Sequence, residues 1–274
     1  MNADDISFFH KWFNHYVKGF YSKDQKIQEN IRLKEKHTLR VCENILLIGS
    51  ALNLDSNELY LARTIALFHD LGRFEQFKKH HTFNDSQSVD HALLGVQILK
   101  RENALYHLAK EEQSLIFKAI RYHNVRKLPT NEDNKCLFYA KLIRDADKLD
   151  IWYVVTKYYE KCKLDNPILD FGLPDTSEYS RHLIEGILNC KIINIEKLKT
   201  LNDLKLMQIS WVFDINFLPT FVLIKNRKYL DKIIKTLPET DKIQKIKRRI
   251  EDYLNEKVKL AYEKGIIIPQ EGWG

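Results

Sequence analysis

Five helix-like segments of this chain each set a metal-ligand residue type into an otherwise apolar face. The residues are His37, the adjacent pair His69 and Asp70, His91, His123 and Asp147. Burying an imidazole or a carboxylate without a partner is costly. Taken singly, each has an ordinary explanation: a core histidine can be hydrogen-bonded, and Asp147 can pair with Arg144 or Lys148 on its own helix. Several such positions on inward faces are explained more simply by an ion that all of them bind.

The faces are read from spacing. Leu33, His37, Val41, Ile45 and Ile48 form one, and Ala62, Ile65 and Ala66 share another with His69. Leu94, Gly95 and Ile98 follow His91, and Ile116, Ala119 and Ile120 lead into His123. Ala140, Ile143, Asp147, Ile151 and Val154 make a stripe with a carboxylate at its centre. Helices are expected over about 24–53, 57–70, 86–102, 111–124 and 134–164, with Asp55 or Ser56 capping the second. With 9 Gly and 6 Pro in 274 residues, turn punctuation is sparse, which favours long helices over sheet. The expected fold is all-α: one helical domain over 1–274, with a core near 24–164 and a helical extension near 179–274. Residues 4–22, rich in Phe, Tyr and Trp, read as a helix capping the core, and the same surface could serve a homo-oligomer. Residues 72–85 and 124–134 read as polar loops at the mouth of a site, and Trp211, Phe213 and Phe217 as core material. Ile243, Ile246, Ile250, Leu254 and Val258 form the apolar stripe of an amphipathic C-terminal helix.

No apolar run approaches bilayer length, and the N-terminus lacks an apolar signal core. A cytoplasmic protein with no membrane partner is expected. Cys42, Cys136, Cys162 and Cys190 are scattered without CxxC spacing, as reduced thiols would be. Cys42 lies about 140° around the helix from His37, a poor position for a ligand. The net charge of +7 sets 44 basic against 37 acidic residues. That balance suits anionic phosphate substrates and does not demand nucleic-acid binding.

The order His, His-Asp, His, His, Asp resembles the HD-domain superfamily of metal-dependent phosphohydrolases. KEKHTLRV, ALFHDLGRFEQF, DSQSVDHALLGVQIL, AIRYHN and RDADKLD carry the resemblance, over about residues 28–155. It implies His37, His69, Asp70 and Asp147 as ligands of a first ion. Asp147 is taken over Asp145 because the family's last aspartate opens Asp-x-Leu, here Asp147-Lys148-Leu149. His91 and His123 match the second-ion ligands of two-metal members, with Asp70 as the bridge and the central catalytic group. The superfamily includes nucleotidases, dNTP triphosphohydrolases, cyclic-nucleotide phosphodiesterases and a few oxygenases.

The chemistry expected is hydrolysis of a phosphoester in a small phosphorylated molecule, a nucleotide foremost, by a metal-activated water. Imidazole and carboxylate ligands suit one or two divalent ions, Mn, Fe, Co, Ni, Zn or Mg. Arg73, three residues beyond Asp70, is the foremost phosphate-binding candidate, followed by Lys148 and Arg126, with Lys127 beside the latter. His80 and His81 could supply a general acid. Asp85 and Asp90 flank the helix of His91; Asp90 either orients that histidine or favours the helix N-terminus. Two other readings remain open: a di-iron oxygenase on the same constellation, and a module that binds a nucleotide without turnover.

Overall fold

The computed structural model describes residues 1–161 and 166–269. All regular structure among them is helical, with no strand, and none of these helices is long and apolar enough to cross a membrane. Residues 1–150 fall in one compact unit and Ile151–Ile268 in a second.

In the first unit, α1 (Ala3–Lys18) starts at a reciprocal capping box between Asn2 and Asp5. It buries Phe9 and Phe13 completely and packs on α3 (Ser56–Phe68). Asp55 caps α3 in a second box with Glu58, so of the two candidate caps the aspartate is used. α2 (Gln25–Ala51) packs along α3 and buries His37, Val41, Ile45 and Ile48 together, as its spacing predicts. α4 (Gly72–His80), α5 (His91–Arg101) and α6 (Lys110–Tyr122) follow, and α7 (Asn134–Tyr159) carries Asp147. Asn44 of α2 donates its side-chain amide to the Ala146 carbonyl at 3.2 Å, which fixes α2 and α7 in register beside Asp147.

The second unit holds α8 (Pro167–Asp170), α9 (Arg181–Leu188), α10 (Leu201–Ser210), α11 (Leu218–Arg227), α12 (Tyr229–Ile234) and α13 (Asp241–Glu263). α13 packs on α9, α11 and α12, and α9 and α12 pack on α10, every residue of which is buried. Its polar side chains are satisfied: Asp203 accepts from Ser180 and from the Lys199 amide. Gln208 accepts from Tyr159 and, through its carbonyl, from Trp152. α13 buries the expected stripe from Ile243 to Val258.

Two expectations need correcting. The stretch 72–85 is not a loop throughout: its first nine residues form α4. Phe74 and Phe77, three residues apart, are buried on one face and pull an otherwise polar segment into a helical turn. Trp211, Phe213 and Phe217 are half-buried rather than core. Trp211 to Asp214 tighten into a 3₁₀ turn that sends Val212 inward instead. Cys42, Cys136 and Cys190 are free thiols. α7 ends at Tyr159, before the expected 164; Cys162 and residues 163–165 lie outside the described residues.

One close approach sets the spacing of the site. A Cβ built on Gly72 would meet the His91 carbonyl oxygen at 2.1 Å and the Gly95 nitrogen at 2.8 Å. Only a residue without a side chain lets the start of α4 lie against the start of α5, and so lets Asp70 reach His91. Gly72→Ala is expected to destabilise the fold by about 1–3 kcal/mol through overpacking, read as a lower denaturant midpoint. An unchanged midpoint would show that the two helices can part freely.

Candidate metal centre

The site is assembled mostly from helix ends. His69 is the C-terminal cap of α3, and Asp70 follows it in the turn before α4. His91 is the first residue of α5, and His123 caps the end of α6. Only His37 and Asp147 project from mid-helix positions, on α2 and α7. The structure brings all six together.

The Asp70 carboxylate is divided between two sets of groups. Its Oδ2 lies 3.4 Å from His37 Nε2 and 3.8 Å from His69 Nε2. Asp147 Oδ1 completes that set, 3.1 Å from His37 Nε2 and 3.7 Å from His69 Nε2. Asp70 Oδ1 lies 3.2 Å from His91 Nε2 and 3.9 Å from His123 Nε2. Three overlapping groups of these atoms, His37-His69-Asp70, His69-His123-Asp147 and Asp70-His91-His123, have metal-ligand spacing.

The ring orientations test whether an ion fits. His69 Nδ1 lies 2.7 Å from the Ala66 carbonyl, and His123 Nδ1 lies 2.6 Å from the Ile120 carbonyl. A carbonyl only accepts, so both Nδ1 atoms carry hydrogen. His37 Nδ1 lies 2.7 Å from Asp150 Oδ2, and His91 Nδ1 lies 2.6 Å from Asp85 Oδ2. When the rings are neutral, all four Nε2 lone pairs therefore point at the shared centre. They approach as pairs, His37 and His69 at 3.3 Å and His91 and His123 at 3.0 Å. Lone pairs held that close in a buried site need a cation or a proton between them. Imidazole nitrogen with carboxylate oxygen, and no thiolate, is a donor set for a divalent transition metal or magnesium.

In the metal-free protein, protons fill this role unevenly. Burial and the Lys34 ammonium oppose charge on His37, but its bonds to Asp147, Asp150 and Asp70 outweigh them and push it up to about 10. His123 goes the other way, down to about 3, because burial, His91 and His69 all disfavour its charged form. Burial alone would raise Asp70, yet Lys34, His69, His37 and His91 hold it well below the usual carboxylate range.

Sequence reading missed Lys34, Arg40, Asp85 as a histidine partner, and Asp150. Lys34 Nζ sits 2.7 Å from Asp70 Oδ2 and over the Phe83 ring. Arg40 grips Asp150 with two nitrogens, at 2.5 and 3.0 Å. Three of these carried a signal: Lys34 and Arg40 lie three residues either side of His37, and Asp150 three beyond Asp147, all on shared helical faces. Asp85 carried none, because its place depends on the path of a loop.

The other expected residues are placed as follows. Arg73 sends one terminal nitrogen to Asp85 at 2.7 Å, Gln76 at 2.9 Å and the Phe83 carbonyl at 2.5 Å. Its Nε lies 3.4 Å from Asp70 Oδ1. Lys148 donates to the Arg144 carbonyl at 3.5 Å, and Arg126 is exposed beyond His123. His80 ends α4 and His81 is its left-handed cap; neither belongs to the converging groups. Asp90 accepts from the Ala92 and Leu93 amides and so caps α5; the carboxylate on His91 is that of Asp85. Cys42 turns to the Arg63 carbonyl and belongs to none of the converging groups.

The raised His37 carries a pH prediction. Below about 10 this histidine holds a proton in the metal-free protein; a ligand nitrogen cannot keep it. Uptake of a divalent ion near pH 7 should release about one proton, and affinity should weaken as pH falls. Calorimetric titration in buffers of different ionisation enthalpy measures this; uptake without proton release would contradict it.

Residues 35–152 match the family model described as HD domain. No curated protein and no solved structure matches the chain. The match spans every one of the converging side chains from His37 to Asp147, and with the helical build it makes this region an HD domain, of a superfamily composed mostly of metal-dependent phosphohydrolases.

Proposed function

We propose that the chain is a metal-dependent phosphohydrolase that cleaves a phosphoester of a small phosphorylated molecule, a nucleotide foremost. The observation that carries this is the division of the Asp70 carboxylate between His37, His69 and Asp147 on one side and His91 and His123 on the other. His37, His69, Asp147 and Asp70 would hold a first divalent ion; His91, His123 and Asp70 would hold a second. An ion bound there would lower the pKa of a water so that hydroxide is available to attack phosphorus, and would set positive charge against the phosphate oxygens.

The chain's own groups do the rest. Carbonyls and carboxylates behind the four histidines take up each Nδ1 and aim each Nε2 inward, so that a neutral ring presents its lone pair to the centre. Burial of all four rings and of Asp70 excludes bulk water and keeps these charges effective. Lys34, beside Asp70 and 17 % exposed, is placed to meet a phosphate oxygen arriving from solvent. Lys148 and Arg126 are proposed to hold the remainder of the substrate's charge, while Arg73, tied to Asp85, adds its charge from within.

Asp70→Asn keeps the side chain's shape and removes the bridging charge. Phosphate release from nucleotide substrates should fall at least about 100-fold, the scale for one preorganised electrostatic contact, with the far-UV circular dichroism unchanged. Retained activity in a metal-loaded Asp70→Asn protein would refute the proposal. Because His91 and His123 complete a second half-site, the same set could hold two irons for oxygen chemistry. Phosphoester cleavage by a colourless protein without oxygen would exclude that.

A further inference from the structure

The two half-sites are braced in parallel but not equally. Each has one histidine held by a backbone carbonyl, His69 or His123, and one held by a carboxylate, His37 or His91. Asp150, behind His37, has a side chain only 1 % exposed and lies on α7 gripped by Arg40. Asp85, behind His91, is 31 % exposed and belongs to a one-turn 3₁₀ helix, Asp85–Gln87, in the segment between α4 and α5.

Asp85 also closes a ring of polar contacts. His91 Nε2 faces Asp70 Oδ1 at 3.2 Å and its Nδ1 faces Asp85 Oδ2 at 2.6 Å. The other Asp85 oxygen accepts from Arg73 at 2.7 Å, and Arg73 Nε returns to within 3.4 Å of Asp70 Oδ1. The Gln76 amide supports the segment from α4, reaching Asp85 at 2.9 Å, Ser88 at 2.8 Å and the Val89 carbonyl at 2.9 Å.

We infer that Asp85 is the positioning residue of the His91–His123 half-site, setting the affinity of the second ion from the α4–α5 segment and leaving the first ion untouched. This rests on the two-ion reading above. A carboxylate behind a ligand histidine fixes the ring and raises its basicity, and its loss commonly weakens metal binding about 10–100-fold. Since Asp85 and Asp150 serve different histidines, the effects should separate by half-site. The partly exposed Asp85 makes the second ion the more labile of the two. Asp85, Asp90 and His91 also have ligand spacing among themselves. However, His91 Nδ1 and Asp85 already face each other at hydrogen-bond distance, and Asp90 is engaged by two α5 amides.

The test is a calorimetric titration of the metal-free full chain with Co²⁺, with elemental analysis after gel filtration. Wild type, Asp85→Asn, Asp85→Glu and Asp150→Asn are compared, each with its metal-free melting curve. Wild type should take two ions. Asp85→Asn should keep the tight ion and weaken the second about 10–100-fold, with a metal-free melting transition that stays cooperative. Asp85→Glu should recover part of the loss, and Asp150→Asn should weaken the tight ion instead. Equal binding of both ions by Asp85→Asn and wild type would overturn the inference, as would equal loss of both. Three ions on wild type would also overturn it, placing a cation between Asp85 and Asp90. Wild type taking up none would overturn the metal reading itself, an outcome separate from any variant's behaviour.

Discussion

A single buried carboxylate, that of Asp70, faces both histidine pairs, one oxygen to each. Little else in the first unit makes physical sense without it. Four imidazoles with their Nδ1 atoms occupied converge Nε2 on Nε2, at 3.0 and 3.3 Å within the two pairs. In a low-dielectric interior that arrangement is costly unless positive charge lies among them. Protons, the Lys34 ammonium and the Arg73 guanidinium provide such charge in the metal-free protein. A divalent ion in each half-site would provide it with better-matched geometry.

The helices around this point are arranged to bring their ends together. α3 delivers His69 and Asp70 as it stops, α5 delivers His91 as it begins and α6 delivers His123 as it stops. The glycine contact between Gly72 and α5 then draws the Asp70 turn against His91. α2 and α7 run past this junction and contribute His37 and Asp147 from their middles. His91 and His123 both come from helix ends, and His91 is supported through the partly exposed Asp85.

Much of this was legible in the sequence. Period-3.6 spacing is a local property, so the face of α2, the α13 stripe and the inward turn of the four converging histidines could be read directly. Of the α7 stripe only Ala140 and Ile143 are fully buried, while Asp147, Ile151 and Val154 are half-buried and Asp145 and Asp150 are buried beside them. The α4 helix was obscured because seven of its nine residues are not hydrophobic and only Phe74 and Phe77 mark its buried face. The aromatic run near Trp211 misled because size suggested burial, while a tight turn chose Val212. The braces behind the histidines divide the same way. Asp150 sits one helical turn from Asp147 and was readable in principle. Asp85 reaches His91 only because the segment between α4 and α5 folds back, held by Gln76 and Arg73. Contacts set by a loop's path leave no periodic trace in the sequence.

Metal content per chain, measured on protein purified without added metal or chelator, tests the role of Asp70 most directly. About two equivalents in the wild type, lost together in Asp70→Ala, is the result predicted for a carboxylate shared by two ions. An Asp70→Ala protein that keeps one or both ions, or a wild-type protein that binds none even on reconstitution, would contradict it.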